Sequence, residues 1–573
     1  MLFAEETSRR GDCTVSFYLA GNRVGDPLPA HRVLLCGGSA FLGAQAVRWS
    51  QQSVLGPELR VPLSSLDDLP PAVAALRFLY TGSLGAAAIT AAQLLQVRRQ
   101  AAFLLLEACV EACDAALLAR ITAAAPHHPK LASGAAGGCP PAAPGVASGT
   151  ARPTYTVRRA PGPSFPAGSS SAVAAGGDDA SLAGVAELHA CRHLLPSAAD
   201  SACGAALLRA CRQQLAASQE LCAQPVGMPC GAPVSAAELL AWAFPDAPSL
   251  LCDPGARRQV EALPAAALEA LLGSDGFATD DEATVLLLLA HWLGANTGVV
   301  SAVLRERLCR LVRLRQLGET YLRCVLPRLP WFPIAREELA FLEQYADAGG
   351  RANKRSRARG AAGSEAQYDT AGPWYCATAR PGMRSDAGRP YEWRVGQEQL
   401  LTALRSGNCH GQQLGPFELV GSFYNGAQRL VSRGFEYRPI LAQQEGGNEA
   451  HLSLQCALPD ALGLPASAQV AGLASTSAQL AVYRCPPAGG GEPSSREACG
   501  LRYDGDEPVP VGWGWSHHAV LPLERAERVT TLWGRQQQGR PLLPAATRLA
   551  ADPLQGWGAY VSGGQISGYL VWE

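Results

Sequence analysis

The chain has 573 residues, too many for one hydrophobic core and enough for about three to four domains. Its 48 basic and 49 acidic residues nearly cancel, which excludes a global field drawing it to nucleic acid or to an anionic membrane surface. The longest apolar run, Val285–Leu293, contains His291 and is far too short to span a bilayer, and Met1–Arg10 lacks the apolar core of a secretory signal. The 18 cysteines are scattered singly, so they read as reduced, mostly buried thiols, and the expected location is nucleus and/or cytoplasm. Lysine occurs only at Lys130 and Lys354; this fits either a protein that avoids being ubiquitin-tagged or a GC-rich coding bias that also inflates Ala, Gly, Pro and Arg.

In chain order, Val15, Phe17 and Leu19 alternate with Thr14, Ser16 and Tyr18, the period-2 mark of a half-buried strand. A Gly/Pro-broken turn follows, then a short helix opening on Pro29 and continuing through His31-Arg-Val-Leu-Leu. Ser39–Arg48 reads as a second helix with Ser39 as N-cap. Leu59–Leu63 reads as a short strand. Leu66, Leu69, Val73, Leu76 and Leu79 or Tyr80 recur at helical spacing and stop at Gly82, and Thr90–Leu118 supplies two more helices. The order predicts a small α/β core over residues 1–120, with one helix face left apolar for self-pairing.

Residues 121–183 are Ala/Gly/Pro/Ser-rich and predict a low-complexity linker or insertion. The range 184–346 is helical throughout, with apolar stretches at Ala206–Leu215, Ala236–Phe244, Ala265–Leu272, Glu282–Leu293, Val303–Val312 and Thr320–Leu326. The range 347–388 predicts a basic flexible linker, and the cluster Lys354, Arg355, Arg357 and Arg359 reads as a nuclear-localisation signal or a solvated charge run. From 389 to 573, short alternating stretches begin at Phe417, Phe435, His451, Gln479, His518 and Gly568. Turn residues separate them, and they predict an antiparallel β-sandwich with a disordered loop at Pro486–Ser495.

No pattern demands catalysis, a metal or a cofactor. The chain has no Gly-x-Ser-x-Gly elbow, no Gly-Lys-Ser/Thr phosphate loop and no His-Glu-x-x-His. Cys409 and His410 adjoin, so on a strand they face opposite ways. His517 and His518 lie beside Trp513 and Trp515 and read as loop filling. Cys109 and Cys113 share a helix face without a third ligand, which makes two buried thiols the better reading.

Residues 12–35, taken with Leu76-Arg-Phe-Leu-Tyr-Thr-Gly82, resemble a BTB/POZ domain. Residues 263–275, 281–293 and 308–317 resemble the BACK domain that follows BTB in substrate adaptors. Leu414-Gly-Pro-Phe-Glu-Leu-Val-Gly-Ser-Phe and the last strand ending at Trp572 resemble a MATH/TRAF-like sandwich. The order is similar to plant BTB/POZ proteins of the light-response type. The resemblance implies a multidomain α+β protein that acts as a substrate adaptor of a cullin-3 type ubiquitin ligase. The BTB unit would form a homodimer and bind the cullin, and the sandwich would bind a protein target.

By that resemblance the cullin contact falls on Phe41, Val47, Trp49 and Tyr80. Trp49 stands where the family's apolar-any-Glu pattern has its acid. Asp12, His31 and Arg32 match the polar residues lining a BTB dimer interface, and a buried acid there needs a basic partner. Only about ten residues precede Asp12, which weighs against a strand-exchanged dimer. Phe423, Trp513 and Trp557, with Tyr424, Trp515 and Tyr560, are the candidate target-binding aromatics or else core. The alternative is a non-ligase BTB dimerisation scaffold in a nuclear transcriptional or signalling complex. Neither reading involves direct contact with nucleic acid or a membrane.

Overall fold

The computed structural model describes residues 11–49, 58–85, 90–122, 180–198, 201–218, 233–350, 368–382, 391–406, 417–423, 427–443, 449–465, 478–483, 498–503, 519–522, 554 and 557–572. The chain is a mixed α+β protein, with a small N-terminal sheet and its helices, a run of helices, and two antiparallel sheets at the C-terminal end.

The N-terminal sheet has the order β2-β1-β3, built from β1 (Cys13–Leu19), β2 (Asn22–Ala30) and β3 (Glu58–Leu63). β1 pairs antiparallel with β2 and parallel with β3. The stretch predicted as a broken turn is therefore mostly a strand. Its alternation is hidden by Gly25, Pro27 and Pro29, which a strand at the sheet edge tolerates because one side of its backbone has no ladder to feed. Helices α1 (Arg32–Gly38) and α2 (Ala40–Trp49) follow. The Gln45 amide donates to the Arg60 carbonyl at 2.8 Å and accepts from the Arg60 N–H at 2.9 Å, pinning α2 to the outer edge of β3.

Helix α3 (Leu69–Thr81) starts three residues later than predicted, because Leu66–Asp68 form a 3₁₀ turn closed by a Ser65–Asp68 capping box. α3 ends at Gly82 as expected. A second capping box, Thr90 with Gln93, opens α4 (Ala91–Phe103), and a turn at Leu104–Leu106 leads into α5 (Glu107–Thr122).

The helical block comprises α6 (Ala180–Ala190), α7 (Ala202–Ala217), α8 (Ala236–Ala243), α9 (Ala247–Cys252), α10 (Pro254–Glu261), α11 (Ala265–Gly273), α12 (Glu282–Ala295), α13 (Ala302–Cys309) and α14 (Arg336–Gly350). α12 is its axis: every residue from Glu282 to Ala290 is buried, as an all-round apolar helix requires. The stretch read as a helix at Thr320–Leu326 is instead a π-helical turn, Tyr321–Val325, running into a 3₁₀ turn that contains Pro327.

The C-terminal strands are β4 (Tyr391–Gly396), β5 (Phe417–Val420), β6 (Ser422–Phe423), β7 (Leu430–Ser432), β8 (Phe435–Gln443), β9 (Glu449–Ala457), β10 (Ala478–Tyr483), β11 (Ala498–Tyr503), β12 (Ala519–Pro522), β13 (Val561–Ser562) and β14 (Gln565–Trp572), with α15 (Gln397–Ser406) after β4. One sheet runs β11-β10-β14-β4-β6, with β13 on β14; the other runs β12-β9-β8-β5, with β7 on β8. All six stretches read as strands in this region form strands.

The helical block and the two sheets share one continuous apolar core, while β1–β3 and their helices enclose a second. Two features join helices to sheets. The first is the segment 368–382, part of the range expected to be a flexible linker. Trp374 and Tyr375 are buried there; Trp374 donates from Nε1 to the Cys309 carbonyl at 2.8 Å and stacks on Phe332. Apolar and aromatic anchors outweigh the Gly/Ala/Arg-rich composition around them. The second is the β7–β8 turn, whose Arg433 and Gly434 both have positive φ. It sits on the start of α12: the Gly434 N–H donates to Thr284 Oγ1 at 2.9 Å, its carbonyl accepts from the Tyr321 hydroxyl, and Asp280 accepts from the Arg433 N–H at 2.6 Å.

Candidate functional site

The N-terminal unit carries the residues proposed for self-association and for scaffold binding, and the structure sorts them into two places. Asp12, His31, Arg32 and Tyr80 meet at the start of α1. The Arg32 N–H donates to Asp12 Oδ1 at 2.7 Å, and the His31 N–H donates to the Tyr80 hydroxyl at 2.9 Å, with the two rings 5.9 Å apart. Asp12 is exposed rather than buried, so it needs no basic side chain; it satisfies a free N–H at the helix start instead. Beneath it the Cys13 thiol is pushed up to about 12, first by burial and then by the Asp12 charge. Burial also raises the Tyr80 phenol. Next to this group, Val33 on α1 is 80% exposed and Leu34 is 45% exposed.

The second place is where α2 meets the α4–α5 turn. The Ser39 hydroxyl donates to the Leu104 carbonyl at 2.6 Å and accepts from the Leu42 N–H at 3.1 Å, so the predicted cap also clamps that turn. Phe41 packs against Phe103 with centroids 5.3 Å apart. Phe103 and Leu105 nevertheless remain about half exposed, and Leu105 holds a φ of 55°, a conformation that costs an ordinary side chain roughly 1–2 kcal/mol. Val47 lies farther along α2 and is 73% exposed. Tyr80 belongs to the first place, with His31, and not to this one. The Trp49 side chain and the loop after it lie outside the described residues.

The sequence reading named Phe41 but missed Phe103 and Leu105. Their signal was present: Phe103-Leu-Leu-Leu-Glu puts four large apolar residues at a helix end, more than one buried face can take.

The target-binding aromatics are corrected. Phe423 is 4% exposed on β6 beside Trp393 of β4, and Trp557 is 1% exposed, 6.1 Å from Phe417. Both are core, as is Tyr560. Trp513, Trp515, Tyr424, the Cys409–His410 pair, the His517–His518 pair and Lys354, Arg355, Arg357 and Arg359 lie outside the described residues.

Cys109 and Cys113 are both buried; the Cys113 thiol is pushed up, first by its hydrogen bond to Cys109 and then by burial. Among the described residues no group of three His, Cys, Asp or Glu could hold a metal, and no helix is long and apolar enough to cross a membrane. The chain matches no protein-family model and no curated protein.

Proposed function

We propose that this chain is a non-catalytic adaptor, with a BTB/POZ-like unit that pairs with a second copy and docks a cullin-3 type scaffold, a BACK-like helical block, and a MATH-like β unit that presents a protein target. The observation that carries the reading is the pair of apolar outcrops on the N-terminal unit, Val33 with Leu34 on α1 and Phe103 with Leu105 at the α4–α5 turn. Large apolar side chains this exposed, on helices whose other faces pack into the core of the unit, mark surfaces covered by another polypeptide. Two separate outcrops support two partners: α1 faces the second copy, and the Phe41–Phe103–Leu105 surface faces the scaffold. Dimerisation then doubles the targets held near one ligase and adds avidity.

The test is co-purification with a cullin-3 type scaffold alongside sedimentation of the purified chain. Val33→Asp with Leu34→Asp is expected to give a folded monomer. Phe103→Asp with Leu105→Asp is expected to lower scaffold affinity more than roughly tenfold while the dimer persists. A folded N-terminal unit that recovers no scaffold even at low salt rejects the reading. Trp49, standing in place of the family acid, favours the second reading, a dimerisation scaffold outside any ligase. Under that reading Trp49→Glu creates a scaffold affinity that the native chain lacks.

A further inference from the structure

We propose that the cleft between α6, α7 and α8 is a binding site for a small aromatic or branched aliphatic carboxylate. The site does not depend on the adaptor reading. Its walls are Leu195, Leu207, Leu208 and Trp242, and Arg192 stands at its rim. The cavity volume is about 220 Å³. A dry apolar cavity of about 150 Å³ takes up benzene, so this one accommodates a ring with a short tail.

Shape and chemistry both point to a ligand that is apolar at one end. Cys211 at the base is fully buried, and burial pushes its thiol up to about 12, so the floor is uncharged. Trp242 is braced from behind by His189, edge-on with centroids 5.4 Å apart, which fixes the aromatic wall. Burial, and then the Arg192 charge, lower the His189 imidazole, which leaves Arg192 as the cation at the mouth.

The Arg192 guanidinium donates to the His189 carbonyl at 3.1 Å and makes no ion pair among the described residues. Of the acids on the flanking helices, Glu187 pairs with Arg120 and accepts from the Ala91 N–H. Glu238 is held by Ser235 at the start of α8, whose hydrogen bonds lower its carboxyl; the Arg192 charge is near enough to help, but without an ion pair between the two. A planar donor fork beside an apolar slot suits a carboxylate better than an amide or an amine, because the charged acceptor strengthens each hydrogen bond.

The probe is 4-phenylbutyrate, titrated calorimetrically into the full chain, with 4-phenylbutanamide and 4-phenylbutylamine as controls of equal size. One-site binding is expected, with a dissociation constant on the order of 0.1–1 mM for a ligand of this size. The amide is expected to bind several-fold more weakly and the amine not measurably. Arg192→Gln is expected to weaken the acid roughly three- to tenfold and leave the amide unchanged. Ala198→Trp, at an exposed rim position, is expected to fill the mouth and abolish binding of both without altering the circular dichroism spectrum. The proposal is overturned by absence of saturable binding, by equal affinity for acid and amide, or by affinity that survives Ala198→Trp.

Discussion

At the scale of single residues, the most consequential pair is Arg380 with Glu282, whose side chains are 0% and 1% exposed and meet at 3.0 Å. Arg380 also donates to the carbonyls of Leu272, Ser274 and Leu311, and Glu282 accepts from the Arg313 N–H at 2.9 Å. A buried charge is tolerated only with such a complete set of partners. Arg380→Met therefore leaves Glu282 stranded and is expected to cost about 3–5 kcal/mol in urea unfolding. Adding Glu282→Gln should return part of that loss, and strictly additive losses would show that the two residues do not interact.

Two further residues give opposite pH signatures. Asp281 is raised to about 6, first by burial and then, against the pull of the Ala283 N–H, by Asp280. Its folded form holds a proton more tightly than the unfolded chain, so its contribution to stability is full below the ordinary carboxylate range and fades as pH rises through about 6. His291 is lowered to about 4, by burial and then by Arg257. Its contribution is present above the ordinary imidazole range and is lost as pH falls toward 4. Asp281→Asn, which keeps a capping oxygen for the Ala283 N–H, is expected to stabilise the chain at pH 7.5 and not at pH 4. His291→Gln is expected to flatten the acid limb of a melting-temperature profile. A profile unchanged by either substitution removes that residue from the account.

At the scale of elements, the β7–β8 turn is the clearest local device. Arg433 and Gly434 both adopt the left-handed conformation that a two-residue hairpin favours, and a Cβ on Gly434 would lie 2.7 Å from the Tyr321 ring and from Ala283. Gly434→Ala is expected to lift the turn off α12 and cost about 2–4 kcal/mol, read as faster hydrogen exchange in β7 and β8. Unchanged protection there rejects the turn as a lock. Gly568 is placed comparably: a Cβ would meet the Ala481 carbonyl at 2.0 Å and the Trp393 ring at 2.7 Å, so β14 fits between β10 and β4 only with glycine there.

Elements that repeat a period were legible in the sequence: β1, β3, α8, α11, α12 and the six C-terminal stretches fold where alternation or helical spacing placed them, and α3 does so from Leu69 onward. β2 was not, because its two prolines and Gly25 break the alternation while an edge position forgives them. The 368–382 segment was not either, since Trp374 and Arg380 carry their energy through distant partners that local composition does not reveal. The same limit separates the candidate surfaces. Phe41 is readable from its helix, but its partner Phe103 lies across the fold, and burial of Phe423 and Trp557 depends on strands far from them in sequence.

At the scale of the whole molecule, the shared core means that the helices and the sheets are not beads on a string. Trp331 donates from Nε1 to the Leu462 carbonyl at 3.0 Å, Cys252 Sγ accepts from the Val431 N–H at 3.1 Å, and Arg313 donates to the Thr378 carbonyl at 2.9 Å. Leu94, Leu95, Leu117 and Ile121 of α4 and α5 enter that same core, so the N-terminal unit is also fastened to the helical block. A chain truncated after Gly350 loses Trp374, Tyr375 and the β unit together. It exposes Phe332 and the Tyr321 turn and leaves Glu282 buried without its arginine. Each large side chain uncovered forfeits about 1.5–3 kcal/mol, which already consumes most of the 5–15 kcal/mol that holds a domain folded. The truncated chain is therefore expected to lose the cooperative calorimetric transition of its helical block, and the full-length protein is expected to melt helices and sheets in one step. If the truncated chain keeps a sharp transition at the original temperature, the helical block is self-sufficient and the β unit adds nothing to its fold. If it does not, the helices and the β unit form one cooperative body, as their shared apolar core requires.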